Sequence, residues 1–307
     1  MSCPTHGVCA AGGLYYSIVD NATYALLETL SDGVWTATEA PPPGVRIYSV
    51  SCANATICVA TGSGYAPPGN NWLGVIYILA SGTWQLQPAP PLPPSYKTNL
   101  MLASVSCPDA NDCVAVGSYS DLSSFSSSQG LILTLASGSR SVQEAPLPAN
   151  ANPEPNAVGL EVLGAVDCTA PGACVAGGGY VDQNGVTNGL IENLQDGVWT
   201  PSEAPVPAGA EGWGTIIDGI SCPAVNACVA DGWDVNPQIT VEDGLVWTQS
   251  SSGWTVAVVS TTPISSSMQG SGKRVSGHAA SNKTVLKSVS CVGPPSAGRS
   301  GPTGSAH

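Results

Sequence analysis

Charge is what this sequence has least of. Only 9% of its 307 residues are Asp, Glu, Lys or Arg, against about a quarter in a typical soluble domain. Lys and Arg together number eight. No basic stripe can neutralise phosphates, which argues against nucleic acid as a partner. The formal charge of -13 follows from that shortage of cations more than from any acidic run. No run approaches the roughly 20 consecutive apolar residues of a spanning helix, so no membrane span is expected. The three His (His6, His278, His307) are scattered, so neither a metal nor a cofactor is expected. No nucleophile motif or phosphate loop is found either.

What the chain has is Gly (36), Pro (26) and Cys (11). The cysteines follow a rule: Cys, five residues, then Cys-x-Ala-x-Gly. Five copies begin at Cys3, Cys52, Cys107, Cys168 and Cys222, with second members Cys9, Cys58, Cys113, Cys174 and Cys228, and a sixth begins at Cys291 without its partner. Pairs at constant spacing, with only one His (His6) beside any of them, read as five local disulfides; buried free thiols are the alternative. A repeat running through nearly the whole chain favours one repetitive body over two unrelated cores.

In the third copy, alternation and turn residues mark four strand-like runs, 102–107 (A), 113–119 (B), 130–135 (C) and 141–145 (D). The C-to-D turns carry Gly at a fixed offset, as tight hairpins demand. After that Gly comes Trp35, Trp84, Trp199 or Trp254, with Arg140 the exception, a pattern expected of packing between sheets. Strand D ends in Glu-Ala-Pro in three copies, at Glu39, Glu144 and Glu203. Pro belongs on edge strands, so D is expected at the outer edge.

Short antiparallel strands in repeated fours predict an all-β fold, a five-bladed β-propeller of four-stranded blades, each stapled by its Cys-x5-Cys disulfide. The propeller is expected over 1–291, with blades near 1–49, 50–104, 105–165, 166–219 and 220–291, and a disordered tail over 292–307. The segment 284–290 resembles another A strand. It is expected to supply the inner strand of the first blade, close the ring and bring Cys291 near Cys3 and Cys9.

The two ends of the blades differ. The A-to-B and C-to-D turns barely vary in length, whereas the B-to-C and D-to-A loops hold all the variation, which makes theirs the candidate binding face. Its aromatics are Tyr65, Trp72, Tyr96, Phe125, Tyr180, Trp213 and Trp233. Asp182, Asn184 and Asn188 offer oxygen ligands for Ca²⁺, but a solvated turn is the expected reading.

The repeat resembles secreted bacterial β-propeller repeat proteins. The hairpins Ser-Asp-Gly-Val-Trp-Thr (31–36) and Gln-Asp-Gly-Val-Trp-Thr (195–200) are distantly similar to the Asp-box turn of sialidase-like propellers, with a different spacing. Asp-boxes are structural in that family, so the resemblance implies a fold and no chemistry. A sialidase-like site would need three converging Arg; this chain has Arg46, Arg140, Arg274 and Arg299, of which Arg46 alone lies near the variable face. The expectation is a monomeric, secreted or cell-envelope protein that binds a protein or glycan without catalysis. The alternative is a carbohydrate-active hydrolase, which would need two carboxylates facing each other about 5 to 10 Å apart. Met1 lies too close to the first repeat for a signal peptide, so a secreted protein would be present here as a fragment.

Overall fold

A computed structural model describes residues 1–40, 44–66, 71–88, 99–120, 127–136, 138–152, 159–160, 162–208, 214–235, 244–259 and 289–291. The described part is all-β, built from five four-stranded antiparallel sheets in chain order. The first holds β1 (Ser2–Thr5), β2 (Val8–Ser17), β3 (Ala22–Ser31) and β4 (Val34–Ala40). The second holds β5 (Val45–Asn54), β6 (Ile57–Ala66), β7 (Asn71–Ala80) and β8 (Thr83–Gln87). The third holds β9 (Met101–Ser106), β10 (Asp112–Ser120), β11 (Ser127–Ala136) and β12 (Ser139–Glu144). A two-residue strand, β13 (Gly159–Leu160), pairs parallel with the start of β11.

The fourth sheet holds β14 (Val162–Ala170), β15 (Ala173–Val181), β16 (Thr187–Gln195) and β17 (Val198–Glu203). The fifth holds β18 (Gly214–Ser221), β19 (Val229–Val235), β20 (Gly244–Ser250) and β21 (Gly253–Val259). Each is a simple meander whose fourth strand is an edge, the place where β17 can carry Pro201 without losing a ladder hydrogen bond. This is the blade arrangement of a β-propeller.

Each hairpin is set by local chemistry. Asp32-Gly33, Ser81-Gly82 and Asp196-Gly197 all have both residues at positive φ, the mirror-image turn whose twist matches the strands it joins. The five Cys pairs are bonded, Cys3–Cys9, Cys52–Cys58, Cys107–Cys113, Cys168–Cys174 and Cys222–Cys228. In the second and fourth sheets the two Cys face each other directly across strands A and B.

The Gly that closes each signature has a steric cause. Strand A bulges opposite it in sheets two to five, and the bulge drives a carbonyl into the space a Cβ would fill. An added Cβ would lie 1.9 Å from Arg46 O at Gly62, 1.8 Å from Met101 O at Gly117, 1.8 Å from Val162 O at Gly178 and 2.0 Å from Ile216 O at Gly232. Only Gly fits there.

Neighbouring sheets pack face to face through apolar clusters. Ala10, Leu27, Ile47 and Tyr77 join the first two sheets, and Ile76, Leu102 and Leu131 the next two. Ile132, Leu163 and Tyr180 join the third to the fourth, and Ile191, Ile217 and Trp247 the fourth to the fifth. Trp84, Trp199 and Trp254 lie in these seams. Arg140, standing where the other copies have Trp, reaches back instead to Pro88 O and, at 3.0 Å, to Gln87 Oε1 of the preceding sheet. Among the described elements no comparable packing joins the fifth sheet to the first.

The inner strands are also linked by polar contacts. Strand A is an edge, with backbone N–H groups that need acceptors. The residue before each first Cys provides one, taking the N–H of the next repeat's first Cys. Ser2 Oγ accepts from Cys52 at 3.0 Å, Ser51 from Cys107 at 3.0 Å, and Ser106 from Cys168 at 3.0 Å. Asp167 Oδ2 accepts from Cys222 at 2.7 Å and Ser221 Oγ from Cys291 at 2.9 Å. Of the closing strand expected over 284–290, residues 284–288 lie outside the described residues, as does the tail over 292–307, while Val289 and Ser290 are described and are not in a strand.

Candidate binding face

At the end of the blades where strand B runs into strand C, the second sheet gathers an exposed group. Tyr65 lies one residue before the end of β6 and Trp72 one residue after the start of β7, and the register pairs them directly. Their rings meet edge to face with centroids 6.0 Å apart. On β5, Arg46 lies opposite Ser63, which puts its guanidinium 5.4 Å from the Trp72 ring centroid. Beside it the Tyr48 hydroxyl and Ser63 Oγ share a hydrogen bond of 2.9 Å.

Tyr65 is 38% and Tyr48 44% exposed, although both ride on well-paired strands. The site is held from behind: Asn99 Oδ1 accepts from Trp72 N at 3.0 Å, and Trp72 O accepts from Leu100 N at 2.9 Å. A cation over a ring face and two rings in an edge contact are each favourable. Together they leave flat aromatic surface and guanidinium donors turned outward on rigid strands.

The other sequence candidates fall elsewhere. Tyr180 is fully buried, and its hydroxyl donates to Glu203 at 2.9 Å and lies 3.0 Å from Asn150 Oδ1. Burial, then the Glu203 carboxylate, push that hydroxyl well above the usual tyrosine range. Trp233 is half-buried and donates from Nε1 to Asp218 Oδ2 at 3.1 Å. Tyr96, Phe125 and Trp213 lie outside the described residues. The structure therefore unites Tyr65 with Trp72 and adds Arg46 and Tyr48. The missing signal was register, because strand pairing and not sequence distance brings β5 beside β6.

Tyr180–Glu203 belongs to a recurring device. Tyr15 donates to Glu39, and Tyr119 to Glu144 at 3.2 Å, each a strand-B Tyr reaching across strand C to the Glu of Glu-Ala-Pro. The Ala of that motif is buried in all three copies, Ala40, Ala145 and Ala204. Ala145 N and Ala204 N bond to Gly130 O and Gly189 O on strand C, closing the outer corner of the blade. These carboxylates are engaged in fastening strand D.

The Asp182 loop is likewise self-contained. Asp182 Oδ1 accepts from Asn184 N at 2.9 Å and Val186 N at 2.8 Å, and Oδ2 from Asn184 Nδ2 at 3.1 Å. Burial alone would raise this carboxyl, but the Val186 and Asn184 hydrogen bonds hold it below the usual range. Among the described residues no group of His, Cys, Asp or Glu could hold a metal ion. No described helix is long and apolar enough to cross a membrane.

These features define a class: an all-β repeat protein of propeller type, stapled blade by blade with disulfides. No protein-family model matches the chain, and no curated protein matches it. Among solved structures it is similar to a GH74 xyloglucanase from Xanthomonas campestris, at 12% identity and a TM-score of 0.35. That match covers 82% of this chain and 44% of the xyloglucanase, so the chain spans less than half the length of that protein.

Proposed function

We propose that this protein is a non-enzymatic, secreted or cell-envelope propeller that binds a protein or a glycan through its variable-loop end. The observation that carries the reading is the group on the second blade in which exposed Tyr65, Arg46 and Tyr48 surround a half-buried Trp72. Ring faces stack on the apolar face of a sugar or on an apolar side chain, and a guanidinium supplies planar donors beside them. Five disulfides support a non-reducing compartment, where such bonds persist.

Binding without catalysis is supported by the way carboxylates near this end are used. Glu39, Glu144 and Glu203 fasten tyrosines, Asp182 organises its own turn and Asp218 accepts from Trp233. The distant Asp-box resemblance of the Asp-Gly hairpins adds a structural role only.

The test is a glycan array and a surface-protein panel probed with the purified protein, followed by titration of any hit. Trp72→Ala should weaken binding at least tenfold, the loss expected of a central aromatic anchor, about 1.4 kcal/mol or more. A hit whose affinity is unchanged by Trp72→Ala and Arg46→Ala would place binding elsewhere and overturn the assignment.

A further inference from the structure

Among the described residues, the first blade is built like the others but is bare where they are covered. Strand β1 pairs with β2 only from Ser2 opposite Ala10 to Thr5 opposite Val8. In the second blade, by contrast, β5 covers β6 as far as Gly64. Gly13 occupies the signature position of Gly62, Gly117, Gly178 and Gly232, yet a Cβ added to it would meet nothing within 4 Å. Trp35, the seam Trp of this blade, is 45% exposed, whereas Trp199 in its packed seam is 6% exposed. The blade thus keeps the residues that receive an inner strand and a neighbouring sheet.

The other end of the chain carries a matching part. Cys291 N bonds to Ser221 Oγ as the first Cys of every later repeat bonds to the blade before it. The residues before it read Thr-Val-Leu-Lys-Ser-Val-Ser, and Ser288-Val289-Ser290-Cys291 repeats Ser49-Val50-Ser51-Cys52 and Ser104-Val105-Ser106-Cys107 letter for letter. In this alignment Leu286 falls where Ile47, Leu102, Leu163 and Ile217 are buried. Val285 falls where Arg46, Met101, Val162 and Ile216 press their carbonyls on the signature Gly.

We propose that the open edge of β2 is a docking site for this chain's own segment Thr284–Cys291, which adds there as an inner strand and joins the fifth blade to the first. The register of the other blades sets Leu286 opposite Gly13 and the Val285 carbonyl over it. At its lower end the incoming strand competes with β1, because Cys291 takes the place of Cys3. The Cys291 thiolate then attacks Sγ of Cys9. A Cys9–Cys291 bond forms, the Cys3–Cys9 bond breaks, and Cys3 leaves as a thiolate that takes up a proton. One disulfide and one thiol are present before and after, so no oxidant is consumed.

Two variants of the full chain test this. Gly13→Ala should lower Tm as much as Gly62→Ala does, because both would press a Cβ on an inner-strand carbonyl. Cys3→Ser, refolded in a glutathione redox buffer, should yield a Cys9–Cys291 disulfide by peptide mapping. A Gly13→Ala protein as stable as the parent, or Cys9 and Cys291 recovered as free thiols from the Cys3→Ser protein, would overturn the proposal. Neither readout depends on a ligand, so this result is separable from the binding assignment.

Discussion

A single carboxyl, that of Glu192, shows how an inner position can run against its surroundings. It sits on β16, fully buried, and neither oxygen has a partner among the described residues. Burial pushes its pKa up to about 8. A folded value above the unfolded one means that its contribution to stability is full below about pH 4.3, the ordinary Glu value, and is lost as pH rises through about 8. Glu192→Gln should therefore gain on the parent across that window, by up to roughly 1.4 kcal/mol per pH unit. Thermal melts of both proteins from pH 5 to 8 check this; a constant gap in Tm would show that Glu192 does not titrate as a buried acid. The sequence could not flag it, because Glu28, at the same register position opposite the signature Ala in the first blade, looks the same and is only half-buried.

At the scale of the strand, the inner-strand bulge and the Cys staple carry the architecture. Gly117→Ala would set a Cβ 1.8 Å from Met101 O, well inside contact distance, whereas at Gly164 the nearest atom, Ile217 O, is 3.5 Å away. Differential scanning calorimetry should find the first substitution costing about 2 kcal/mol or more and the second near neutral. Equal effects would mean that the bulge yields freely. Each disulfide closes a loop of seven residues, which in the chain-entropy account stabilises by about 2 kcal/mol. The strands and Cys bonds were legible because turn glycines, period-two alternation and even Cys spacing are local signals. The Ser-to-Cys hydrogen bonds between blades were not read, although Ser-x-Ser-Cys is visible in three copies, because what those hydroxyls do depends on which strand lies beside them. The same holds for Arg46 and Tyr48, which join Tyr65 and Trp72 only through register.

For the molecule as a whole, a charge of -13 on 307 residues means that folding gathers like charges with few cations among them. Self-repulsion of this kind is screened by salt. Tm should rise between 10 mM and 300 mM NaCl at pH 7.5, and a fall would point to ion pairs that outweigh the repulsion. The repeat, the five bonded Cys pairs, the four-strand unit and its outer Pro-bearing edge were all determined by the chain alone, because each depends on residues within one copy. The grouping of Tyr65 with Trp72 and Arg46, the enclosure of Tyr180 and the unpartnered burial of Glu192 were decided only in three dimensions. They depend on how one strand is set against another and one blade against the next, and a repeated sequence offers each copy the same local pattern whatever covers it.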